Sequence, residues 1–563
     1  MTYTIRFGTD EKNIDVTNIV LEKCTRGDTI YITHCGWARN ILFTDPCPCK
    51  FKHIFVLDDK SNVFKYDENV GICIDTKNDI ICTGVPIVII CYNNYKYVEN
   101  TIEQIKKINS MYTNFIRIID NCSTDQDTID YLKKISADSK VNSNIFVVWN
   151  KTNNGPWITP TNNATIYYGL PNKFILTDPD LEFNPMMPPN FIDVMINLSN
   201  KYRCKKIGCA LDISDFDLMY QSPNYTQGMS IQIWEKQNWA TKINDSEYEL
   251  YYTGIDTTFC LVDKICLEDK NNNNNVRIAG NFTAKHLPWY TDNKIYNLYE
   301  NYQANTKTTS ISSVSRTINE YIKSNYLKIK KNDEIFFIKN DTKDNNLEFW
   351  KNTFSHWEND TFSVFDTFLN KDKVWIDIGG WIGTTCMYGS RKSKHTYSIE
   401  ADKYAIEDMK ANCYINCRNY TLINKAIFNV NDIDVKIGKN KFLNDSKLKD
   451  STSQIYNNES NEGKTDDYQT MDCYTIKTIT LDHIISTYSI DPTNIALIKV
   501  DIEGGEEYIL DDLYDLHKIY KIPLYVSFHY CWWKDKNIER FDFLSHNQIE
   551  TVRANPFASL LFN

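Results

Sequence analysis

The chain alternates buried-type strands with amphipathic helices in two separate stretches, and this double alternation constrains its fold more than any other feature. The first series begins with VPIVIICYN at Val85, and a helix follows that carries Val98, Ile102 and Ile105 on one face. The second begins with KVWIDIGG at residues 373–380 and ends with PLYVSFHY. Such alternation predicts a mostly parallel sheet covered by helices, with ligands at the carboxyl ends of its strands. The sequence therefore predicts an α/β multidomain protein with two α/β modules.

The composition and periodicity of the sequence change around these modules, and the changes predict the domain boundaries. Residues 1–82 contain short β-type runs broken by turn residues, with no helix-period segment, which predicts a small β-rich accessory domain. Residues 83–305 and 346–563 are predicted to form the two α/β domains. The Thr/Ser-rich and then Lys/Asn-rich stretch 306–345 predicts a linker with one helix. The polar stretch 444–472 predicts an insertion over the second sheet.

The composition is that of a folded globular protein and argues against several classes of partner. Of the 563 residues, 42% are hydrophobic and 24% are charged. The net charge of −11 argues against a nucleic-acid or membrane-surface binder, since such proteins need basic patches. No apolar run approaches the length of a membrane span. No feature of the sequence predicts an oligomeric state.

The first residues and the cysteines predict a cytoplasmic location. MTYTIRFGTDEKN is polar and lacks the apolar core of a signal peptide, and 17 cysteines without such a signal indicate reduced thiols. The heavy use of Asn, Lys, Ile and Tyr is typical of an AT-rich genome, such as that of a large DNA virus or a protist. For a viral protein, the compartment would be the cytoplasm of the host.

Two aspartates in the first module follow a short apolar strand with only a proline between them. In KFILTDPDLEF, Asp178 and Asp180 lie two positions apart, so in an extended segment their carboxylates point the same way and could bind one Mg²⁺ or Mn²⁺. Such a cation keeps positions open for substrate phosphates and stabilises a departing diphosphate. The alternative is a polar turn, because Asp and Pro are ordinary turn residues.

Three segments of this module, PIVIICYNN, IIDNCSTD and LTDPDLEF, resemble in this order the nucleotide-sugar motifs of family 2 type GT-A glycosyltransferases. The resemblance covers residues 84 to about 300. It implies a GT-A type α/β domain that transfers a sugar from a nucleotide-sugar donor to a glycan or glycoside acceptor with a divalent metal, Mn or Mg. It also implies donor-binding roles for Cys91, Tyr92, Asn93, Asp120, Asn121, Asp178 and Asp180, and metal-binding roles for Asp178, Asp180 and His286. The alternative for His286 is a packed core or rim histidine.

An inverting sugar transfer needs a carboxylate base near the acceptor hydroxyl. Asp256 is the first candidate, because it lies between the metal motif and His286. Glu235, Asp212 and Asp217 compete with it, and an ordinary surface acid is the alternative for each of these three. The ED acceptor motif and the QxxRW motif of processive members of the family are absent from the sequence, which argues against a processive polymerase.

The second module opens with a carboxylate and three glycines between a strand and a helix, in VWIDIGGWIG. Glycine lets the backbone approach a ligand closely, and Asp377 can accept hydrogen bonds from ligand amino or hydroxyl groups. The run has neither the GxGxxG order of a dinucleotide fingerprint nor the Lys-Ser/Thr of a phosphate loop. Glu400 ends the next strand, where an acid typically binds ribose hydroxyls. This order suits S-adenosylmethionine, which has a ribose but no phosphate.

Together with this turn, the segments YSIEADKYAIEDMKANCYIN, TLDHII and ALIKVDIEGGEEYIL resemble the motifs of FkbM-type methyltransferases. The resemblance covers about 370–530 and implies a Rossmann-like domain that transfers a methyl group to a hydroxyl, commonly of a sugar or a secondary metabolite. It implies that Asp377, Gly379, Gly383, Glu400 and Asn416 bind the cofactor, and that Lys499, Asp501, Glu503 and Glu506 lie at the acceptor end. One departure is Gly380-Trp381, where the family more often has Ala-Asn.

O-methylation needs a hydroxyl that loses its proton as it attacks and a methyl group placed in line with it. Asp501 is the first candidate for the base, and His529 after the next strand is the alternative. For Lys499 and Glu506, an ion pair at a strand end is the alternative to a catalytic role.

The two modules together predict a bifunctional glycan-modifying enzyme, a nucleotide-sugar glycosyltransferase joined to a sugar O-methyltransferase. One alternative is a sugar O-methyltransferase whose degenerate glycosyltransferase domain is a glycan-binding module. Another is a non-catalytic scaffolding protein. Metal-dependent turnover of a donor distinguishes the first alternative, and cofactor binding distinguishes the second.

Overall fold

The computed structural model describes residues 3–68, 70–138, 145–222, 225–269, 271–306, 313–341, 346–438, 453–456 and 474–563. The chain divides into two compact units, Met1–Ile295 with Ala304–Thr317, and Tyr296–Gln303 with Ile318–Asn563. The four predicted segments, 1–82, 83–305, 306–345 and 346–563, stay predictions. Of the predicted insertion at 444–472, all but residues 453–456 lies outside the described residues.

The first 84 residues of the first unit form two antiparallel sheets of four strands each. In sheet order the strands are Asn13–Asp15, Thr4–Gly8, His53–Leu57 and Val63–Asp67, and Thr25–Arg26, Thr29–Ile32, Gly71–Asp75 and Ile80–Gly84. Two helices, Thr17–Lys23 and Gly36–Phe43, also lie here, and the sequence prediction missed them. They are 7 and 8 residues long and bury one and two side chains, so their periodic signal is too short to recognise.

The rest of the first unit is built on a mixed sheet of nine strands. In sheet order they are Phe146–Trp149, Ile116–Asp120, Ile87–Cys91, Lys173–Thr177, Cys260–Asp263, Lys206–Cys209, Asn275–Ile278, Leu250–Tyr252 and Lys242–Ile243. The first four are parallel, as the alternation predicts. The prediction of a mostly parallel sheet is wrong for the other half, where Lys173–Thr177 pairs antiparallel with Cys260–Asp263 and only one of the later pairings is parallel.

Buried strands and amphipathic helices position the polar strand ends of this sheet. Every residue of Ile87–Cys91 is buried, which explains its continuous apolar run. A separate pair of strands, Leu181–Phe183 and Ala284–His286, follows the aspartate pair. The α-helices are Tyr95–Ile108, Gln126–Asp138, Ala164–Gly169, Phe191–Tyr202, Ile231–Lys236 and Lys264–Glu268, and the 3-10 helices are Ser110–Phe115, Phe216–Leu218, Gln237–Trp239, Gly280–Phe282 and Leu287–Trp289.

The second unit contains a Rossmann-like sheet of six strands. In sheet order they are Tyr420–Ile423, His395–Ile399, Val374–Ile378, Ile495–Val500, Leu524–Ser527 and Ser559–Phe562. The first five are parallel, and the last is antiparallel to its neighbour. The strand order reverses between Val374–Ile378 and Ile495–Val500, and open α/β sheets bind their ligands at the carboxyl ends beside such a reversal.

Smaller sheets and helices complete this unit. The helix Ser313–Asn325 lies within the stretch 306–345, for which the sequence predicts a linker with one helix. The same stretch also contains the hairpin Tyr326–Lys331 and Glu334–Lys339, which the sequence does not predict. A second small sheet has the order Ala426–Ile427, Tyr474–Ile479, Asp434–Gly438 and Gln454–Tyr456. The other helices are Leu298–Thr306, Phe349–Thr353, Asn359–Phe368, Thr384–Lys392, Ala405–Asn416, Leu481–Thr487, Pro492–Asn494, Gly505–Tyr508, Leu510–Tyr520, Tyr530–Trp532, Ile538–Arg540 and His546–Ala554.

None of the helices in the part of the chain that the structure describes is long and apolar enough to cross a membrane.

Candidate functional site

A cavity of about 390 Å³ opens in the second unit at the carboxyl ends of the parallel strands. It lies beside the reversal of strand order, which is where the sheet topology places a ligand site. The polar residues of its wall include predicted cofactor and acceptor residues, namely Gly379, Glu400, Lys499, Asp501, Glu503 and His529. The structure thus brings together residues that lie up to 150 positions apart in the sequence.

The glycine turn at this cavity requires glycine for a steric reason. Gly379 has a φ of +80°, and a Cβ there would lie 1.8 Å from the backbone oxygen of Asp501. Gly383, with a φ of +94°, precedes the helix Thr384–Lys392 and is not among the residues that line the cavity. Trp381 lies between them and lines the cavity. The turn therefore brings two strand ends close together at the cavity wall.

Glu400 follows the strand His395–Ile399 and is held by two backbone amides. Its Oε2 accepts a hydrogen bond of 2.8 Å from the Trp381 amide, and its Oε1 accepts one of 2.7 Å from Asp402. Burial raises the pKa of Glu400 to about 7. The carboxylate is therefore fixed in the cavity wall, where the sequence predicts a ribose ligand.

Asp377 and Lys499 form a buried ion pair behind the cavity. The Nζ of Lys499 lies 3.3 Å from Oδ1 of Asp377, while Oδ2 accepts hydrogen bonds of 2.9 Å from the hydroxyls of Thr385 and Ser398. Lys499 also donates to the Gly379 carbonyl at 2.5 Å. Burial alone would lower the pKa of Lys499, and the carboxylates of Asp377 and Asp501 outweigh it and raise that pKa. Asp377 therefore contacts protein groups and is not among the residues that line the cavity.

Asn416 does not lie at the cavity, although the sequence resemblance implies a cofactor contact. Its Oδ1 accepts a hydrogen bond of 2.9 Å from the Phe337 amide, and its Nδ2 donates to the Phe337 carbonyl at 2.8 Å. It is fully buried and is absent from the cavity wall. Its amide therefore fixes the hairpin strand Glu334–Lys339 against the helix Ala405–Asn416.

The two predicted base candidates face each other across the cavity wall. Nε2 of His529 lies 3.6 Å from Oδ1 of Asp501 and 3.3 Å from Oε2 of Glu503, and its Nδ1 lies 2.8 Å from Oε1 of Glu506. Burial lowers the pKa of His529, and the three carboxylates outweigh it and raise that pKa to about 9. Glu506 is therefore a partner of His529 and is not itself in the cavity wall.

Glu358 is a cavity residue that the sequence analysis missed. It precedes the helix Asn359–Phe368 with a φ of +47° and lines the cavity together with Trp357. Burial, and then the Asp501 carboxylate, raise the pKa of Glu358 to about 7. No motif links residue 358 to residue 501, so the only available signal was an acid next to tryptophan before the first strand.

The aspartate pair of the first unit lies next to His286. The strands pair so that Leu181 faces His286, and this register leaves Nε2 of His286 3.4 Å from Oδ2 of Asp180. Within the described residues, Oδ1 of Asp180 and Nδ1 of His286 are buried without a hydrogen-bond partner. Burial would lower the pKa of His286, and the neighbouring carboxylates, Asp180 first, raise it. Buried polar atoms without a hydrogen-bond partner are uncommon in folded proteins, so these two atoms mark the strand end as a candidate ligand site.

Asp178, like Asp180, is partly buried. Its Oδ2 accepts a hydrogen bond from the Thr257 hydroxyl, and burial together with the Asp180 charge raises its pKa to about 8. Among the described residues, the only group of three or more His, Cys, Asp or Glu whose ligand atoms all lie within 4.8 Å of one another is in the second unit. The three predicted metal ligands Asp178, Asp180 and His286 therefore do not converge that closely.

The remaining predicted donor residues shape the loops at the carboxyl ends of the first strands. Asn93 has a φ of +53°, and its Oδ1 accepts hydrogen bonds from the amides of Thr124 and Asp125. Asn121 donates to the Gly155 carbonyl at 2.6 Å. Cys91 is buried, Tyr92 is partly buried, and Asp120 lines a second cavity of about 570 Å³ with Trp149 and Asn150. The polar groups of Asn93 and Asn121 are therefore used by the protein itself.

The candidate bases of the first unit differ in their surroundings. Asp256 is exposed, and its Oδ1 accepts a hydrogen bond of 3.0 Å from the Trp157 indole. Glu235 is buried in an ion pair with Arg277, which leaves it unsuited to accept a proton from a substrate. Asp212 accepts from the Ser214 amide, and Asp217 is exposed in the turn Phe216–Leu218.

A comparison with protein families matches residues 377–550 to the methyltransferase FkbM domain. The second unit contains a methyltransferase FkbM domain. The matched range begins at the Asp377 of the glycine turn and includes Glu400, Asp501 and His529. The FkbM domain thus supplies most of the cavity, and Trp357 and Glu358 line it from outside the matched range.

Solved structures that are similar to parts of the chain include two methyltransferases and one mannosyltransferase. The methyltransferase FkbM from Methylobacillus flagellatus KT is 17% identical over 28% of this chain and 33% of its own, with a TM-score of 0.18. The mannosyltransferase PcManGT from Pyrobaculum calidifontis, in complex with GDP-Man and Mn²⁺, is 11% identical over 43% and 74%, with a TM-score of 0.25. The tRNA m1G37 methyltransferase from M. jannaschii is 13% identical over 19% and 36%, with a TM-score of 0.13.

These likenesses are too weak to carry an argument about function. The chain spans about a third of the length of the Methylobacillus protein. A search of the curated proteins finds no match. The GT-A resemblance of the first unit stays a prediction.

Proposed function

We propose that the second unit is an S-adenosylmethionine-dependent O-methyltransferase that acts on a sugar hydroxyl. The observation that carries this proposal is the cavity at the strand-order reversal, in which the Gly379 turn and the Glu400 carboxylate of the FkbM domain meet. An acid at the end of the second strand is the group that binds ribose hydroxyls in sheets of this kind.

The residues of the cavity fit the proposed cofactor. The Glu400 carboxylate can accept hydrogen bonds from ribose hydroxyls, and the Trp381 side chain and several aliphatic residues can pack against an adenine ring. The volume of about 390 Å³ lies in the range of roughly 300–1,000 Å³ that small-molecule sites occupy. When bound, S-adenosylmethionine would supply an electrophilic methyl group on its sulfonium.

The chain's own residues can accept the proton that the reaction releases. Asp501 lies at the carboxyl end of Ile495–Val500, in the same cavity as Glu400. Its carboxylate can hold an acceptor hydroxyl by a hydrogen bond and take its proton as the oxygen attacks. Lys499, which is bonded to the Gly379 carbonyl, holds the two strand ends in position.

Calorimetric titration with S-adenosylhomocysteine tests this proposal. We expect the wild-type chain to bind it, and Glu400→Ala to weaken the affinity by about 10- to 150-fold, because a hydrogen bond to a charged group contributes about 1.5–3 kcal/mol. Glu407→Ala removes an exposed acid from the helix Ala405–Asn416 and serves as the control. Absence of binding to the wild-type chain, or equal affinity of the Glu400→Ala chain, would contradict the proposal.

We propose in addition that the first unit binds a nucleotide-sugar donor with Mn²⁺ or Mg²⁺ and transfers the sugar, which makes the chain bifunctional. The buried, unsatisfied Oδ1 of Asp180 and Nδ1 of His286 support a ligand at this strand end. The looser arrangement of Asp178, Asp180 and His286 favours the alternative, a glycan-binding module that has lost the metal. The glycosyltransferase and the glycan-binding module would both bind a sugar.

Titration of UDP, GDP and TDP with and without Mn²⁺ distinguishes the glycosyltransferase from the glycan-binding module. We expect one nucleotide to bind only with Mn²⁺, and Asp178→Ala/Asp180→Ala to lower that affinity at least about 100-fold, because the metal bridges carboxylates and diphosphate. S-adenosylhomocysteine should bind this variant as it binds the wild type. Glu99→Ala/Glu103→Ala removes two exposed acids of the helix Tyr95–Ile108 and is the matched control. If no nucleotide binds under either condition, the glycan-binding alternative replaces the transferase.

A further inference from the structure

We propose that the cavity of the FkbM domain contains a second divalent-cation site, formed by Asp501, Glu503 and His529. The ligand atoms of these three side chains all lie within 4.8 Å of one another, which is true of no other such group among the described residues. The site shares the cavity of the proposed methyltransferase, and in that sense it rests on the proposed function. It is separate from the aspartates of the first unit, to which the sequence motifs assign a metal.

The sheet brings the three ligands together. The parallel strands Ile495–Val500 and Leu524–Ser527 pair with Val500 opposite Val526, so both end at the same edge. Asp501 follows the first strand directly, and His529 comes two residues after the second. Glu503 lies in the turn before Gly505–Tyr508 with a φ of +54°. The three side chains are 23%, 14% and 9% exposed, so they form part of a cavity wall, in contrast to a patch of exposed surface acids.

The orientation of the imidazole fits a metal ligand. Nδ1 of His529 lies 2.8 Å from Oε1 of Glu506, and Glu506 in turn accepts hydrogen bonds from the Gly504 amide and the Trp533 indole. The ring of Trp532 stacks on the imidazole at an angle of 4°. Nδ1 is therefore occupied, and Nε2 is aimed at Asp501 and Glu503. A carboxylate on one imidazole nitrogen is the arrangement that orients metal-binding histidines.

The charges around the site also favour a dication. Three carboxylates, those of Asp501, Glu503 and Glu506, surround one imidazole, and Lys499 is 3.9 Å from Asp501 but is shared with the buried Asp377. Carboxylates held this close repel one another, and a divalent cation between them would offset this repulsion more fully than the single imidazole can. Two carboxylate oxygens and one imidazole nitrogen suit a transition-metal dication such as Mn²⁺ and leave positions open toward the cavity. A sugar hydroxyl is a chemically suitable ligand for such an open position.

Manganese binding by the full-length chain tests the inference. The free Mn²⁺ signal in electron paramagnetic resonance would be titrated in the Asp178→Ala/Asp180→Ala background, which removes the proposed site of the first unit. We expect Mn²⁺ to bind this protein, and Glu503→Gln or Asp501→Asn added to it to weaken the affinity at least about tenfold, since each removes a charged ligand. Glu407→Gln, an exposed acid with a surface partner, should leave the affinity unchanged.

Binding of S-adenosylhomocysteine, measured on the same samples, separates the possible failures. If the Glu503→Gln chain keeps its S-adenosylhomocysteine affinity while losing Mn²⁺, the cavity is folded and the cation site is supported. If Mn²⁺ does not bind the background protein, or binds the Glu503→Gln and Asp501→Asn chains equally well, the inference is overturned while the proposed function stands. If wild type fails to bind S-adenosylhomocysteine, the proposed function fails on its own readout.

Discussion

Replacing Lys499 with methionine should lower the free energy of unfolding of the second unit by about 3–5 kcal/mol, because it leaves the buried Asp377 carboxylate without its counter-charge. Asp377 would retain the hydroxyls of Thr385 and Ser398 on Oδ2, but Oδ1 would lose the ammonium at 3.3 Å. The Gly379 carbonyl would lose its donor as well. The substitution therefore removes the contacts that join Ile495–Val500 to the end of Val374–Ile378 beside the cavity.

Hydrogen exchange in peptides from Ile495–Val500 measures this effect, because it reports the stability of one unit of a chain that contains two. Lys410→Met is the control: Lys410 is exposed and pairs with Glu407 on a helix surface, where such pairs contribute little. A loss below about 1 kcal/mol for Lys499→Met would show that the ion pair does not stabilise the unit as its burial implies.

Replacing Arg277 with methionine should destabilise the first unit by a similar amount, about 3–5 kcal/mol at neutral pH. The guanidinium pairs with the buried carboxylate of Glu235 and also donates to the Gly254 carbonyl at 3.0 Å. Without it, Glu235 would keep only the side-chain amide of Asn238 as a donor among the contacts described. The double variant Glu235→Leu/Arg277→Met should lose less than the single variant, because no buried charge remains unpaired.

The loss of stability in the single variant Arg277→Met should depend on pH. Burial already raises the pKa of Glu235 above its ordinary value of 4.5, and Arg277 opposes that increase. Without Arg277, the Glu235 carboxylate binds its proton more tightly in the folded state than in the unfolded state. The stability of the variant is therefore greatest below the pKa of Glu235 in the unfolded state, and it is lost as pH rises through the pKa of Glu235 in the folded state. Hydrogen exchange in peptides from Asn275–Ile278 should show a larger loss at about pH 8 than at about pH 5. Equal losses at the two pH values would contradict the account of Glu235.

Much of each sheet could be predicted because its signal is local. Ile87–Cys91 and Ile495–Val500 are buried along their whole length, and their continuous apolar runs show this directly. Gly379 and Glu400 could be singled out because a turn and a strand end follow such runs, and both line the cavity. Local patterns also located Asp178 and Asp180, whose position at a strand end the structure reproduces.

What the sequence did not predict depends on contacts between distant segments. Glu358 precedes the six-stranded sheet in the sequence and yet lines the cavity at its strand ends. Asn416 accepts a hydrogen bond from the backbone of Phe337, 79 residues away. The antiparallel half of the first sheet depends on which strand pairs with Lys173–Thr177, and apolar runs of four residues do not encode their partner. The resemblance implies that Asn416 binds the cofactor, whereas its side-chain amide forms hydrogen bonds with the backbone of Phe337.

A crystal structure of the chain with S-adenosylhomocysteine tests the central claim most directly. The account predicts that the ligand occupies the cavity of the FkbM domain, with its ribose hydroxyls on the Glu400 carboxylate and its sulfur on the side of Asp501. Ligand density at another place on the chain, or a ribose that makes no contact with Glu400, would contradict the account.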